Sequence, residues 1–133
     1  MDAEGELVTT LQRVDRIVGY EPMSDEPDFS GFLAKHLLAS PTENILPTSE
    51  KEPEAVAKRL CDSHQGGMVV LLIPGRAFDA AGTRHGRGRG WYDRLLAKLP
   101  ENWLRIGVTD PVHFSEKPLV RQSWDEPVDF ILV

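Results

Sequence analysis

The chain has 133 residues, of which 41% are hydrophobic and 27% charged, with a formal net charge of −6. That is enough for one domain around one core, and the acidic balance excludes a general nucleic-acid-binding face. A single cysteine, Cys61, excludes an internal disulfide and fits a reducing compartment; no apolar run reaches membrane-spanning length, and the acidic start does not resemble a signal peptide.

Met1 to Gly5 is acidic and expected to fray. Leu7, Leu11, Val14, Ile17 and Val18 recur at helical spacing, which predicts a helix ending near Gly19, or a helix turning into a short strand around Arg16 to Tyr20. Glu21 to Pro27 is a turn whose carboxylates read as a solvated face. Asp28 is placed to cap a helix through Phe29, Phe32, Leu33, Leu37 and Leu38, weakened by Gly31. His36 has no second ligand one turn on and reads as a surface or core-edge residue. Ala39 to Pro53 is irregular, with Asn44-Ile45-Leu46 as a short edge strand at most.

Ser49 or Glu52 opens the next helix, with Pro53 in its first turn; it runs through Cys61 and stops at His64-Gln65-Gly66-Gly67. Cys61 reads as a small buried apolar residue of that helix. Met68 to Ile73 is apolar throughout, as in a central strand covered on both faces. Leu104 to Val108 and Val128 to Val133 are further strands, and His113 lies in a loop with no evident partner. Helices alternating with apolar strands predict an α/β fold, a three-layer Rossmann-like sandwich with a mostly parallel sheet, formed by residues 1–133 as a single domain. Ligands of such sheets sit beyond the carboxyl ends of the strands, which is where Pro74 to Gly90 must lie.

Between those strands stands Gly82-Thr83-Arg84-His85-Gly86-Arg87-Gly88-Arg89-Gly90-Trp91-Tyr92-Asp93-Arg94, followed by the helical run Leu95-Leu96-Ala97-Lys98-Leu99. Glycines let a backbone approach an anion closely and point N–H groups at it. Arg84, Arg87, Arg89 and Arg94 supply planar forks that match phosphate, and Asp93, where loop meets helix, can hold a divalent cation. The basic character is local, as in a site for a small polyanion. The spacing is neither the dinucleotide fingerprint nor a Walker loop. An ordered phosphate loop and a flexible basic RNA-binding loop both fit these residues; the flanking strand and helix favour the first. His85 either touches a phosphate or fills an apolar position.

These residues carry a resemblance. Ile73-Pro74-Gly75-Arg76-Ala77-Phe78-Asp79 and Gly82 to Arg94 resemble the signature of the 5-formyltetrahydrofolate cyclo-ligase family (methenyltetrahydrofolate synthetase), V-P-G-x-x-F-D and then G-x-R-L-G-x-G-x-G-Y-Y-D-R. Trp124-Asp125-Glu126-Pro127-Val128-Asp129-Phe130-Ile131-Leu132 resembles the family's closing H-D-x-P-V-D-x-I-V. Ile17 to Tyr20 with Asp25-Glu26 resembles, more weakly, its early strand and acidic turn.

The resemblance implies an ATP-dependent ring closure with Mg²⁺ as cofactor and ATP as co-substrate: 5-formyltetrahydrofolate becomes 5,10-methenyltetrahydrofolate, with ADP and phosphate released. Carried over by position, Arg84, His85, Gly86, Arg87, Gly88, Arg89, Gly90, Trp91 and Tyr92 form the ATP loop, and Arg87 and Arg89 are the catalytic charges. Glu26, Arg87, Gly88, Arg89, Gly90 and Trp91 border the folate, and Asp93 and Asp125 hold the metal. Asp129 and Arg94 are structural. The implied partners are ATP and a reduced folate in the cytoplasm, with no nucleic acid and no membrane, acting on a monomer or weak homodimer.

Three departures accompany the match. No lysine precedes Lys35, whereas the family's basic first helix contributes one to ATP. The segment between the acidic turn and the Pro74-Gly75 strand is shorter than the family's, and Asn44-Ile45-Leu46-Pro47 resembles its I-x-E-P without the glutamate. His85 replaces a leucine, and Trp91 replaces a tyrosine while keeping a flat ring for stacking. Two readings of activity follow: a compact cyclo-ligase, alone or completed by a second subunit, or a degenerate member that binds nucleotide or folate without turnover.

Overall fold

The computed structural model describes Thr9 and residues 16–21, Glu26, Phe29, and residues 43–45, 52–66, 68–86 and 90–133. Five strands form a parallel sheet: β1 (Arg16–Tyr20), β2 (Glu43–Ile45), β3 (Val69–Pro74), β6 (Leu104–Val108) and β8 (Phe130–Leu132), in the order β2-β1-β3-β6-β8. Of the two early alternatives for Arg16 to Tyr20, the strand is the one formed. The Glu43–Ile45 strand lies at the sheet edge, and β3 lies at the centre.

β3 is buried along its whole length, and its side chains alternate between two cores. Val69, Leu71 and Ile73 face one cluster with Val18, Ile45, Val56, Ala57, Leu60, Leu95 and Leu96. Val70 and Leu72 face the other with Ile17, Tyr20, Phe29, Ile106 and Val108. Each fully buried aliphatic side chain there contributes about 1.5–3 kcal/mol. This two-sided burial is why β3 is apolar without alternation.

The first cluster is closed by two helices, α1 (Pro53–Ser63) and α2 (Trp91–Ala97). α1 starts where expected. Pro53 sits in its first turn, where a missing N–H costs nothing, and Glu54 faces the positive end of the helix. Val56, Ala57 and Leu60 form its buried stripe, with Cys61 half-buried against the same core. At its end the His64 N–H donates to the Leu60 carbonyl, and Arg16 Nη1 donates to the Ser63 carbonyl at 2.7 Å, a cation at a helix C-terminus. The other sheet face carries Phe29, packed edge-to-face on Tyr20 at 5.1 Å. The helix expected from Asp28 to Leu38, His36 included, falls outside the described residues apart from Phe29.

Two features depart from expectation. A second sheet of three short strands, β4 (Ala77–Asp79), β5 (Arg84–His85) and β7 (Phe114–Ser115), stands beyond the end of β3 in the order β5-β4-β7. The last strand spans only Phe130–Leu132, because Val128 leaves the sheet to pack in the helical core and donates its N–H to the Gly82 carbonyl at 2.9 Å.

Candidate active site

Among the strands of the large sheet, the chain leaves β1 for β2 on one side and crosses back to β3 on the other. This order places a topological switch point between β1 and β3, where doubly wound folds bind ligands. Glu26 follows β1, and the glycine–arginine stretch follows β3.

The start of that stretch is built by Phe78 and Asp79. Phe78 is fully buried over the carboxyl ends of β3 and β6, where a Cβ on Gly75 or Gly107 would collide with its ring. These glycines are therefore seats for one aromatic side chain. The Asp79 carboxylate organises the turn: Oδ1 accepts the N–H groups of Ala81 (3.0 Å) and Thr83 (2.9 Å), and Oδ2 accepts that of Leu119 (2.8 Å). Gly82 has φ +85°, and its missing side chain leaves room for the Val128 carbonyl. Arg121 reaches across from the other strand of chain and donates to Thr83 Oγ1 at 2.8 Å and the Ala81 carbonyl at 3.1 Å. Asp79 was legible only as one charge in the motif. Its part in folding the turn depends on partners at Thr83 and Leu119 that no spacing rule connects.

Arg84 lies on β5, buried rather than projecting from a loop. Its Nε donates to the Pro74 carbonyl at 2.6 Å, and its guanidinium lies over the Tyr92 ring, 4.8 Å from the centroid. Both Nη atoms pack beneath Gly86, at 3.0 Å from where a Cβ would stand. Burial pushes the Arg84 pKa down, against the opposing fields of Tyr92, Asp93, Glu26 and Asp125. Burial also pushes the Tyr92 hydroxyl well above its ordinary value, so it stays neutral at physiological pH. Trp91 is half-buried, edge-to-face with Tyr92 at 5.1 Å.

Asp93, in the first turn of α2, accepts the Glu126 N–H on Oδ1 at 3.0 Å. Asp125 is held in a turn by the Gln122 N–H, which donates to its Oδ2 at 2.8 Å. The Glu126 N–H bond brings Asp125, its chain neighbour, beside Asp93. Burial first, and the neighbouring Asp125, raise the Asp93 pKa, while the Glu126 N–H and Arg84 oppose that rise. Two carboxylates forced together favour a cation between them. Among the described residues no cluster of three or more His, Cys, Asp or Glu could hold a metal. A two-carboxylate set suits Mg²⁺, which keeps waters and takes its remaining ligands from substrate phosphates.

The structure therefore stacks Arg84 on Tyr92, sets Asp93 next to Tyr92 in α2 and ties Asp93 to the segment of Asp125, while the Glu26 charge acts on Arg84 and Tyr92; Gly86 and Gly90 flank residues 87–89. Arg87, Gly88 and Arg89 lie outside the described residues. Gly90 has φ +65° and precedes α2, which has seven residues. His85 Nε2 donates to the Val120 carbonyl at 2.6 Å. Arg94 faces solvent on the far side, paired with Glu52 at 2.9 Å and Glu54 at 3.2 Å. Asp129 Oδ2 accepts the Arg105 N–H at 2.8 Å. His113 does have a partner, contrary to expectation: its Nδ1 lies 2.8 Å from Asp110 Oδ1, and the contact holds the Asp110 pKa below its ordinary value. The i, i+3 spacing of Asp110 and His113 was the signal for it.

The chain is 26% identical over 121 residues to a 5-formyltetrahydrofolate cyclo-ligase of Mycoplasma pneumoniae, covering 90% of this chain and 73% of that protein. It is 34% identical over 62 residues to a 5-formyltetrahydrofolate cyclo-ligase of Mycoplasma genitalium, covering 47% of this chain and 36% of that one. The fold is similar to that of a 5,10-methenyltetrahydrofolate synthetase from Mycoplasma pneumoniae, with a TM-score of 0.59 at 23% identity over 97% of this chain and 80% of the other. Residues 37–133 match the family model of the 5-formyltetrahydrofolate cyclo-ligases, and the chain belongs to that family.

Proposed function

We propose that this protein closes 5-formyltetrahydrofolate to 5,10-methenyltetrahydrofolate at the expense of ATP. The observation that carries this is the buried Arg84 guanidinium over the Tyr92 ring, with Asp93 beside Tyr92 in α2 and tied to the Asp125 segment, in a chain of the cyclo-ligase family. The formyl oxygen attacks the γ-phosphorus and ADP leaves. N10 then attacks the activated carbon, and the former formyl oxygen departs as the fourth oxygen of phosphate. The N10 proton is lost to phosphate or solvent.

Such a transfer needs positioning and charge neutralisation rather than a protein nucleophile. Arg84 offers its buried guanidinium to phosphate oxygens, with the Tyr92 ring fixing its plane. Arg87 and Arg89 neutralise the charge that develops on the transferring group, and the loop from His85 through Tyr92 encloses the nucleotide. Glu26 hydrogen-bonds the pterin, and Trp91 borders it. Asp93 and Asp125 would hold Mg²⁺, which supplies charge compensation for the β- and γ-phosphates. The same reading makes the protein a cytoplasmic enzyme of one-carbon folate metabolism, a monomer or weak homodimer acting on small molecules. Among the described residues no helix is long and apolar enough to cross a membrane.

The segment between the acidic turn and the Pro74-Gly75 strand, shorter than the family's, favours a second reading, a member that binds nucleotide or folate without turnover. One assay separates the two. The protein is incubated with 5-formyltetrahydrofolate, ATP and Mg²⁺ while the near-ultraviolet absorbance of the methenyl product is followed, with Arg87→Ala and Asp93→Asn alongside. ATP-dependent product that disappears in both variants is the expected result. Binding of ATP or folate without product would sink the catalytic reading.

A further inference from the structure

Arg105 lies outside the glycine–arginine motif, on β6, and is only 8% exposed. Its guanidinium reaches two elements at once. Nη2 donates to the carbonyl of Leu96 in α2 at 2.9 Å, and Nη1 donates to Glu126 Oε2 at 3.1 Å. Its backbone N–H donates to Asp129 Oδ2 at 2.8 Å, and its carbonyl accepts the Asp129 N–H at 2.7 Å. Glu126 passes the connection on, because its own N–H donates to Asp93 Oδ1 at 3.0 Å. One side chain thus ties the helix that carries Asp93 to the segment that carries Asp125.

Stability alone gives little reason for an arginine here. Its Nε is buried and has no acceptor among the described residues. An unsatisfied buried donor is costly, and a buried ion pair is commonly no better than well-packed apolar side chains of the same volume. What the arginine supplies is a fixed spacing between two elements that apolar packing would let slide.

We propose that Arg105 and Glu126 are positioning residues for a divalent cation at Asp93 and Asp125: the guanidinium clamps α2 to the Trp124–Pro127 segment and so sets the separation of the two carboxylates. The proposal rests on that pair being the cation site described above. Partners behind metal ligands typically govern affinity by about 10–100-fold.

The test is Mn²⁺ binding in the presence of ATP, read from the loss of the free-ion electron paramagnetic resonance signal, on the whole chain. Arg105→Met is expected to weaken Mn²⁺ binding about tenfold and also to lower the melting temperature, since it leaves the Leu96 carbonyl and the Glu126 carboxylate without their donor. Arg105→Lys, which can reach one partner, is expected to recover part of the loss. Glu126→Ala keeps the N–H that contacts Asp93 but releases the clamp; being at a partly exposed side chain, it serves if Arg105→Met does not fold. It too is expected to weaken binding, and Asp93→Asn to abolish it. Native Mn²⁺ affinity in both Arg105→Met and Glu126→Ala would overturn the clamp, as would a native protein that binds no Mn²⁺. Tight native binding that the variants weaken, with no methenyl product formed, would refute the cyclo-ligase reading and leave the clamp standing.

Discussion

Asp79→Asn should lower stability by about 3 kcal/mol without changing side-chain volume. The carboxylate accepts three backbone N–H groups, from Ala81 and Thr83 on one oxygen and Leu119 on the other. An asparagine oxygen can keep the first two as weaker neutral bonds. Its amide then faces the Leu119 N–H, donor against donor. Losing a charge-assisted bond costs about 1.5–3 kcal/mol, and weakening the other two adds about 1 kcal/mol. For a chain of this size that corresponds to a fall in Tm of about 10 °C, measured by circular dichroism, with a matching drop in the urea midpoint and an unchanged slope.

The pH dependence supplies an independent check. Burial by itself would raise the Asp79 pKa, but the N–H groups of Leu119, Thr83 and Ala81 and the Thr83 hydroxyl outweigh it and hold the pKa below the ordinary 3.8. A depressed carboxylate contributes stability that is full above its unfolded value and is lost as pH falls through its folded value. The native protein should therefore lose this contribution as pH drops below 3.8, and the variant should show a flatter acid limb. A Tm shift under about 3 °C, or superimposable acid limbs, would refute the assignment of the turn to this carboxylate.

Three further outcomes are expected. Gly82→Ala should destabilise by about 3 kcal/mol or more, since the residue has φ +85° and a Cβ would run into the Val128 carbonyl; a native-like melt would contradict that contact. Tyr92→Leu removes the ring beneath the Arg84 guanidinium and should raise the apparent KM for ATP about tenfold, with kcat less affected, in steady-state assays. Arg94→Ala breaks only exposed ion pairs with Glu52 and Glu54, so Tm should stay within about 2 °C and turnover should be unchanged. A loss of activity there would place Arg94 in the site after all.

The sequence by itself determined the parts whose cause is local. Met68 to Ile73 announces a strand buried on both faces because every side chain is apolar. Pro53 and the Val56, Ala57, Leu60 stripe announce α1 because helix starts and buried faces leave a periodic mark. Gly82 to Arg94 carried the family because its glycines and arginines are tied to position by one loop. Tertiary structure alone decided the rest. Strands of two and three residues, as in β4, β5 and β7, are shorter than any period that could reveal them. Gly75 and Gly107 are far apart in the chain, and only the fold seats one Phe78 ring on both. The same holds for Arg105, which in sequence is one polar residue in a strand. Its partners Leu96 and Glu126 come from a helix and a loop on either side, and such pairings depend on where the backbone goes rather than on local pattern.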